Sequence, residues 1–186
     1  LLILCLGSMY GIARWYIASE SDKPFQLGAT FVPRYARYFD LEPQDTLRAM
    51  FDDLGLRNIR LVSYWSEIEA NEGIYDFREL DWQFEMAKEY DVKVSLALGL
   101  RQPRWPECHM PKWAMEISKS EWQPKLESFI AAVVNRYKDN PQLESYQLEN
   151  EYFLTVFGEC KDFDRDRLVK EFNLVKKLDP HHKLIV

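Results

Sequence analysis

Cysteine is scarce: three in 186 residues are too few for a disulfide-built scaffold. Seven glycines and nine prolines are too few for a collagen-like or low-complexity chain. Basic charge is not in excess either. The 24 Lys and Arg are scattered among 30 Asp and Glu for a net charge of −6, which leaves no basic footprint for nucleic-acid phosphates. What is present is 47% apolar and 15% aromatic residues, the composition of a globular, aromatic-rich chain holding one domain, or one domain with an appendage.

From Leu1 to Ser19 the only charge is Arg14, and the bulky pair Trp15-Tyr16 sits where an interfacial aromatic belt would fall. The segment is marginal for crossing about 30 Å of hydrocarbon. Residues 1–19 read as an uncleaved membrane anchor, with a cleaved export signal second and a buried first helix third. Either of the first two puts the rest of the chain on the extracytoplasmic side. Residues 20–24 read as a linker and 25–186 as the folded domain. With no initiator Met, and an end inside the apolar run Lys183-Leu184-Ile185-Val186, both termini read as cut.

The domain alternates. Strands are expected at Phe25–Val32, Asn58–Tyr64, Val92–Leu98, Leu143–Leu148 and from Lys183. Between them, helices are expected over Gln44–Leu54 and from an Asp76/Glu79 capping box to about Tyr90. Two more follow, one from a Ser120/Gln123 box through Tyr137 and one from Asp164 to Pro180. Strict alternation implies parallel strands, and their mostly continuous apolar runs suit strands covered on both faces. Ala29-Thr30-Phe31-Val32-Pro33 follows the first strand where a dinucleotide fold would carry its glycine-rich phosphate loop. Long loops rich in Trp, Tyr, Arg and Glu leave the strand C-termini: Pro33–Pro43, Trp65–Tyr75 and Arg101–Lys119. That elaboration favours an α/β fold of the (β/α)8 TIM-barrel type. A full barrel takes about 250 residues, so strands one to five are expected here, preceded by an N-terminal apolar helix.

Strand four runs into Gln147-Leu148-Glu149-Asn150-Glu151-Tyr152. Consecutive hydrogen-bonding side chains at a strand C-terminus belong at a polar cavity. A carboxyl held there against aromatics would have its charged form disfavoured and could serve as a general acid. Regular pleating puts Glu149 and Glu151 on one side and Asn150 on the other, unless the strand end is distorted.

This segment resembles the Asn-Glu signature ending strand four in clan A glycoside hydrolases, the cellulase-like and β-galactosidase-like barrels. Asn58-Ile59-Arg60-Leu61 with Tyr64-Trp65-Ser66-Glu67-Ile68-Glu69 is similar to the clan's strand-two segment. Glu72-Gly73-Ile74-Tyr75-Asp76-Phe77 with Leu80-Asp81 is similar to its entry into helix two. The resemblance covers most of residues 25–186. It implies hydrolysis of β-linked oligo- or polysaccharides with retention, by double displacement. Glu151 would be the acid/base, with Glu149 its rival. Asn150 would bind the hydroxyl next to the reacting carbon, and Arg60 would pair with a nucleophile supplied beyond this chain. Retention places the two carboxylates about 5 to 5.5 Å apart, and the 186 residues alone are expected to be inactive.

Further substrate contacts are expected from Tyr64 and Trp65 at the end of strand two, and from Arg101, Trp105 and His109 in the loop after strand three. A flat Trp can carry a sugar ring while polar groups bind its hydroxyls. For Tyr64, Trp65, Trp105 and His109 packing is the competing reading, and Trp113 is read as rim packing. Cys108 and Cys160 fall in neighbouring loops and could form a disulfide in an exported protein, remain buried thiols, or join His109 at a metal. No cofactor, metal or nucleic-acid partner is expected. The partners expected are a carbohydrate and, through the N-terminal segment, a membrane. A barrel that binds carbohydrate without turnover is the alternative function.

Overall fold

The computed structural model describes residues 2–21, 26–160 and 162–186. Phe25 and most of the 20–24 linker lie outside them. Five strands form one sheet: β1 (Gly28–Thr30), β2 (Asn58–Val62), β3 (Lys93–Leu98), β4 (Leu143–Leu148) and β5 (Lys183–Ile185). All neighbouring pairs are parallel and the order is β1-β2-β3-β4-β5. A doubly wound sheet would reverse its strand order part-way. An order that follows the sequence, with crossovers of one hand, places the helices on one face, as in a barrel.

The two faces differ accordingly. Ile59, Leu61, Val94, Leu96, Leu98, Tyr146 and Leu148 belong to one buried cluster with the helices α3 (Pro43–Asp52), α5 (Arg78–Glu89), α7 (Lys119–Tyr137) and α8 (Arg165–Leu178). Helix α7 presents Leu126, Phe129, Ile130, Val133 and Val134 to that layer at helical spacing. The other face carries Thr30, Arg60, Ser95 and Ser145 in register across the sheet, and one step further on Val62, Ala97 and Gln147. A register shift at Val94/Ser95 leaves Glu144 as the extra residue of a bulge. That extra residue lets Leu143 face the helices while Ser145 and Gln147 face away from them.

Several local expectations shift. The capping box of α7 uses Ser118 and Glu121, whose carboxylate accepts from the Ser118 N–H at 2.9 Å, rather than Ser120 and Gln123. No box forms at Asp76: Asp76 accepts from Arg78 N–H and its guanidinium, while Glu79 pairs with Arg37 at 2.8 Å. Strand β2 stops at Val62, two residues early. The long loops contain the short helices α2 (Pro33–Tyr38), α4 (Trp65–Ile68) and α6 (Lys112–Met115).

The N-terminal helix α1 (Leu2–Glu20) forms, with its side chains exposed from Cys5 to Ser19, so it is not a buried first helix of the domain. Among the described residues no helix is long and apolar enough to cross a membrane, and the expectation of a membrane-spanning anchor is not supported. Ser8, Tyr10, Arg14, Trp15, Tyr16 and Ser19 dilute the apolar run.

Phe129 is fully buried and stacks on Trp65 at 6.0 Å between centroids. Phe129→Ala should therefore cost about 3–5 kcal/mol, read as a lower urea midpoint with an unchanged slope. A loss below 1 kcal/mol would contradict this packing.

Candidate functional site

Parallel strands deliver the loops after β1 to β4 to one end of the sheet. The ladder of β4 ends at Leu148, and the next residues leave it sharply. Glu149 (φ 57°) and Glu151 (φ 47°) are both in the left-handed region, as are Arg104 (φ 85°) and Glu107 (φ 71°) in the loop after β3. Such conformations cost about 1–3 kcal/mol each in non-glycine residues and persist only where the surroundings impose them. Here the strand end is distorted, so Glu149, Asn150 and Glu151 do not simply alternate.

Glu149 turns into the layer between sheet and helices. Its side chain is fully buried and accepts from the backbone N–H groups of Leu100 (2.6 Å) and Arg101 (3.0 Å), and from Arg167 of α8 (2.8 Å). Gly99, at φ 98°, makes room: a Cβ there would stand 2.3 Å from the Glu149 carboxylate. Arg167 also pairs with Glu171 at 2.7 Å and Asp162 at 3.2 Å. Burial, then the neighbouring Glu149 charge, raises the Glu171 carboxyl well above the usual range. Glu149 is fully buried and engaged by donors of the protein itself.

Asn150 lies over the polar face of the sheet. Its Nδ2 donates to Glu107 (3.0 and 3.3 Å to the two oxygens) and its Oδ1 accepts from Gln147 Nε2 at 3.0 Å. Arg60 donates from Nη1 to Gln147 Oε1 at 2.7 Å and from Nε to Thr30 at 2.9 Å. Glu151 is exposed beside this row, and its charge acts on both Arg60 and Glu107. The structure thus links Arg60 to Asn150 through Gln147, with Glu151 exposed at the next position in the chain. It adds three groups that sequence reasoning did not single out: Gln147, Glu107 and Thr30. Gln147 stood in the quoted motif. Glu107, in an aperiodic loop, left no sequence signal beyond its type. Burial raises the Glu107 carboxyl, against the Asn150 hydrogen bond and the Arg101 charge.

Four expected contacts are corrected, each because the side chain is buried, although His109 Nε2 and Arg101 Nη1 find no hydrogen-bond partner there. Trp65 is fully buried and donates to Glu69 at 2.6 Å. Tyr64 is 1% exposed and its hydroxyl donates to Pro103 O at 2.6 Å. His109 lies stacked on the Tyr64 ring at 3.6 Å. Arg101 is 1% exposed and holds the loop after β4 through the carbonyls of Asn150 (2.8 Å), Leu154 (3.1 Å) and Phe157 (2.9 Å). Trp105 is 54% exposed and stands edge-on to Phe157. Trp113 packs edge-on to Trp65 and donates to Glu69 O.

Cys108 and Cys160 are joined as a disulfide, Cα atoms 4.7 Å apart, so neither is a thiol or a metal ligand. The same two loops meet where Glu159 N–H donates to Pro106 O at 2.9 Å. They also meet where a Cβ on Gly158 would come within 2.8 Å of Glu107 Cβ.

No protein-family model matches the chain. It is 22% identical over 155 residues to β-galactosidase BgaH of Haloferax lucentense, an alignment covering 69% of this chain and 22% of that protein. It is 26% identical over 127 residues to the probable mannan endo-1,4-β-mannosidase F of Neosartorya fischeri, covering 63% and 26%. Among solved structures, GH5_18 from Streptomyces cattleya, in complex with GlcNAc, superposes with a TM-score of 0.61 at 18% identity. That match covers 87% of this chain and 44% of the other. The chain's relatives are glycoside hydrolases. The parallel sheet and its helices match their barrels, in line with the clan A resemblance. This glycoside-hydrolase-like chain spans about a quarter or less of the two curated relatives' length.

Two outcomes follow from the buried charges. Arg167→Met strands Glu149 and Glu171 without their cation and should cost about 3–5 kcal/mol in urea unfolding; a neutral result would mean the carboxylates need no partner. Burial pulls His109 down to about 3. An unfolded histidine takes its proton near 6.5, so between these values the unfolded chain binds the extra proton. The His109 contribution to stability should therefore fall as pH drops from about 6.5 towards 3. His109→Phe, which keeps the stack, should show a shallower loss of urea midpoint over that window.

Proposed function

We propose that the full-length protein hydrolyses β-linked oligo- or polysaccharides with retention of configuration. In this reading Glu151 is the general acid/base, and the nucleophilic carboxylate comes from a later strand, outside these residues. The observation that carries it is the division of labour at the end of β4. Glu149 is caged by two backbone N–H groups and Arg167, whereas Glu151 is exposed at the C-terminal end of the sheet beside Asn150 and Arg60. The β-galactosidase and mannanase relatives support a β-linked substrate.

Chemically, Glu151 would protonate the departing glycosidic oxygen as the nucleophile attacks the anomeric carbon. It would then take a proton from the water that releases the glycosyl-enzyme. Asn150 donates to both Glu107 oxygens and keeps one lone pair on Oδ1, which would accept a hydrogen bond from one sugar hydroxyl. Arg60, fixed by Thr30 and Gln147, would hold the nucleophile's charge, and Trp105 would offer its ring to a sugar further along the chain. The Cys108–Cys160 disulfide supports an exported, extracytoplasmic location.

Glu151→Gln in the full-length protein should lower kcat/KM on unactivated β-linked oligosaccharides about 10²- to 10⁴-fold, the usual worth of a general acid. Substrates whose leaving group needs no proton should lose much less in the glycosylation step. Near wild-type turnover of the unactivated substrate would rule out Glu151 as the acid.

A further inference from the structure

The polar row on the open face of the sheet has a direction. Arg60 can only donate hydrogen bonds, and an ionised carboxylate can only accept them. With Arg60 Nη1 on Gln147 Oε1, the other half of that amide, Nε2, is left to donate to Asn150 Oδ1. Asn150 Nδ2 is then left to donate to Glu107. A side-chain amide can usually turn over at little cost. In this row both amides are fixed, by a cation at one end and an anion at the other.

Glu107 is itself held firmly. It is 3% exposed, its N–H donates to Arg104 O at 2.8 Å, and its carbonyl accepts from Gln102 N–H at 2.9 Å. Its carboxylate faces Arg101 Nε at 3.3 Å, and Gly158 packs against its Cβ. Such burial of a carboxylate is costly unless it is paired and hydrogen-bonded. Beyond the paired Arg101, it is the Asn150 amide that uses both of its oxygens.

We propose that Glu107 is a positioning residue: it sets which way the Asn150 amide faces, and so which pairing Asn150 presents to the sugar hydroxyl beside Glu151. This rests on the glycosidase reading above. Glu107 touches no substrate. It acts through Asn150, with Gln147 and Arg60 fixing the same amide from the other side.

The test is a double-mutant cycle in the full-length protein. Glu107→Gln keeps the shape but brings a donor where only an acceptor fits, and should lower kcat/KM on an aryl β-glycoside about 100-fold, the scale of a small misplacement at a reacting centre. In an Asn150→Ala background the same substitution should change it less than about threefold. On the 2-deoxy version of that substrate, Glu107→Gln should likewise have little effect. Equal losses in both backgrounds and on both substrates would mean that Glu107 only supports the fold, and would overturn the proposal. Should Glu107→Gln not fold, Gln147→Met breaks the row from the Arg60 side and should give the same pattern. A wild type that hydrolyses no β-glycoside refutes the glycosidase reading but leaves the positioning claim readable. With ¹⁵N-asparagine labelling, the side-chain amide signal that vanishes in Asn150→Ala should shift and lose its exchange protection in Glu107→Gln, and an unmoved signal would refute it.

Discussion

The carboxylate of Glu149, locked between the backbone N–H groups of Leu100 and Arg101 and the guanidinium of Arg167, governs the shape of the candidate site. Taking such a charge out of water costs several kcal/mol unless every lone pair finds a donor. The chain meets that demand by turning left-handed at Glu149, with Gly99 leaving the space. Once the turn is made, β4 cannot continue, and the next residues are redirected: Asn150 over the polar face, Glu151 to solvent. A caged carboxylate thus redirects the chain that carries the one proposed to do the chemistry.

The same region is tied by several independent means, which suits a site that must hold its geometry. The loops after β3 and β4 share a disulfide, the three carbonyls gripped by Arg101, and the close contact of Gly158 with Glu107. Barrel interiors are usually filled with layers of branched apolar side chains. Here the face away from the helices carries Thr30, Arg60, Ser95, Ser145 and Gln147 beside the apolar Val62 and Ala97, a mixture that stability alone does not explain. Its Arg60 and Gln147 become intelligible in the one-way chain of hydrogen bonds from Arg60 through Gln147 and Asn150 to Glu107.

Much of the architecture was legible in the sequence. The segments from 92 to 98 and from 143 to 148 give β3 and β4 almost to the residue, because their apolar residues recur on the face that packs against the helices. The stripe Leu126, Phe129, Ile130, Val133, Val134 gives α7 for the equivalent reason in helices. The short helices α2, α4 and α6 were missed because four to six residues are too few to show a period. The capping boxes were misplaced because Ser118, Ser120 and Asp76 all have the right side chain, and only the backbone decides which one ends a helix. Trp65, Tyr64 and His109 look like sugar-binding residues by type. Their burial depends on Trp113, Phe129 and each other, which no local pattern reveals.

The sequence by itself determined the alternation of strands and helices, the barrel-like order of the sheet, and the cluster of carboxylates and amides at the end of the fourth strand. These follow from short-range periodicity and from the cost of placing polar groups in an apolar run. Only the tertiary structure decided which of the two glutamates is caged and which is exposed, and that Glu107 reaches Asn150 from another loop. The partners responsible lie 49 residues before Glu149, 18 residues after it and 43 residues before Asn150. Hydrogen bonds and ion pairs over such separations exist only once the sheet has brought the loops together.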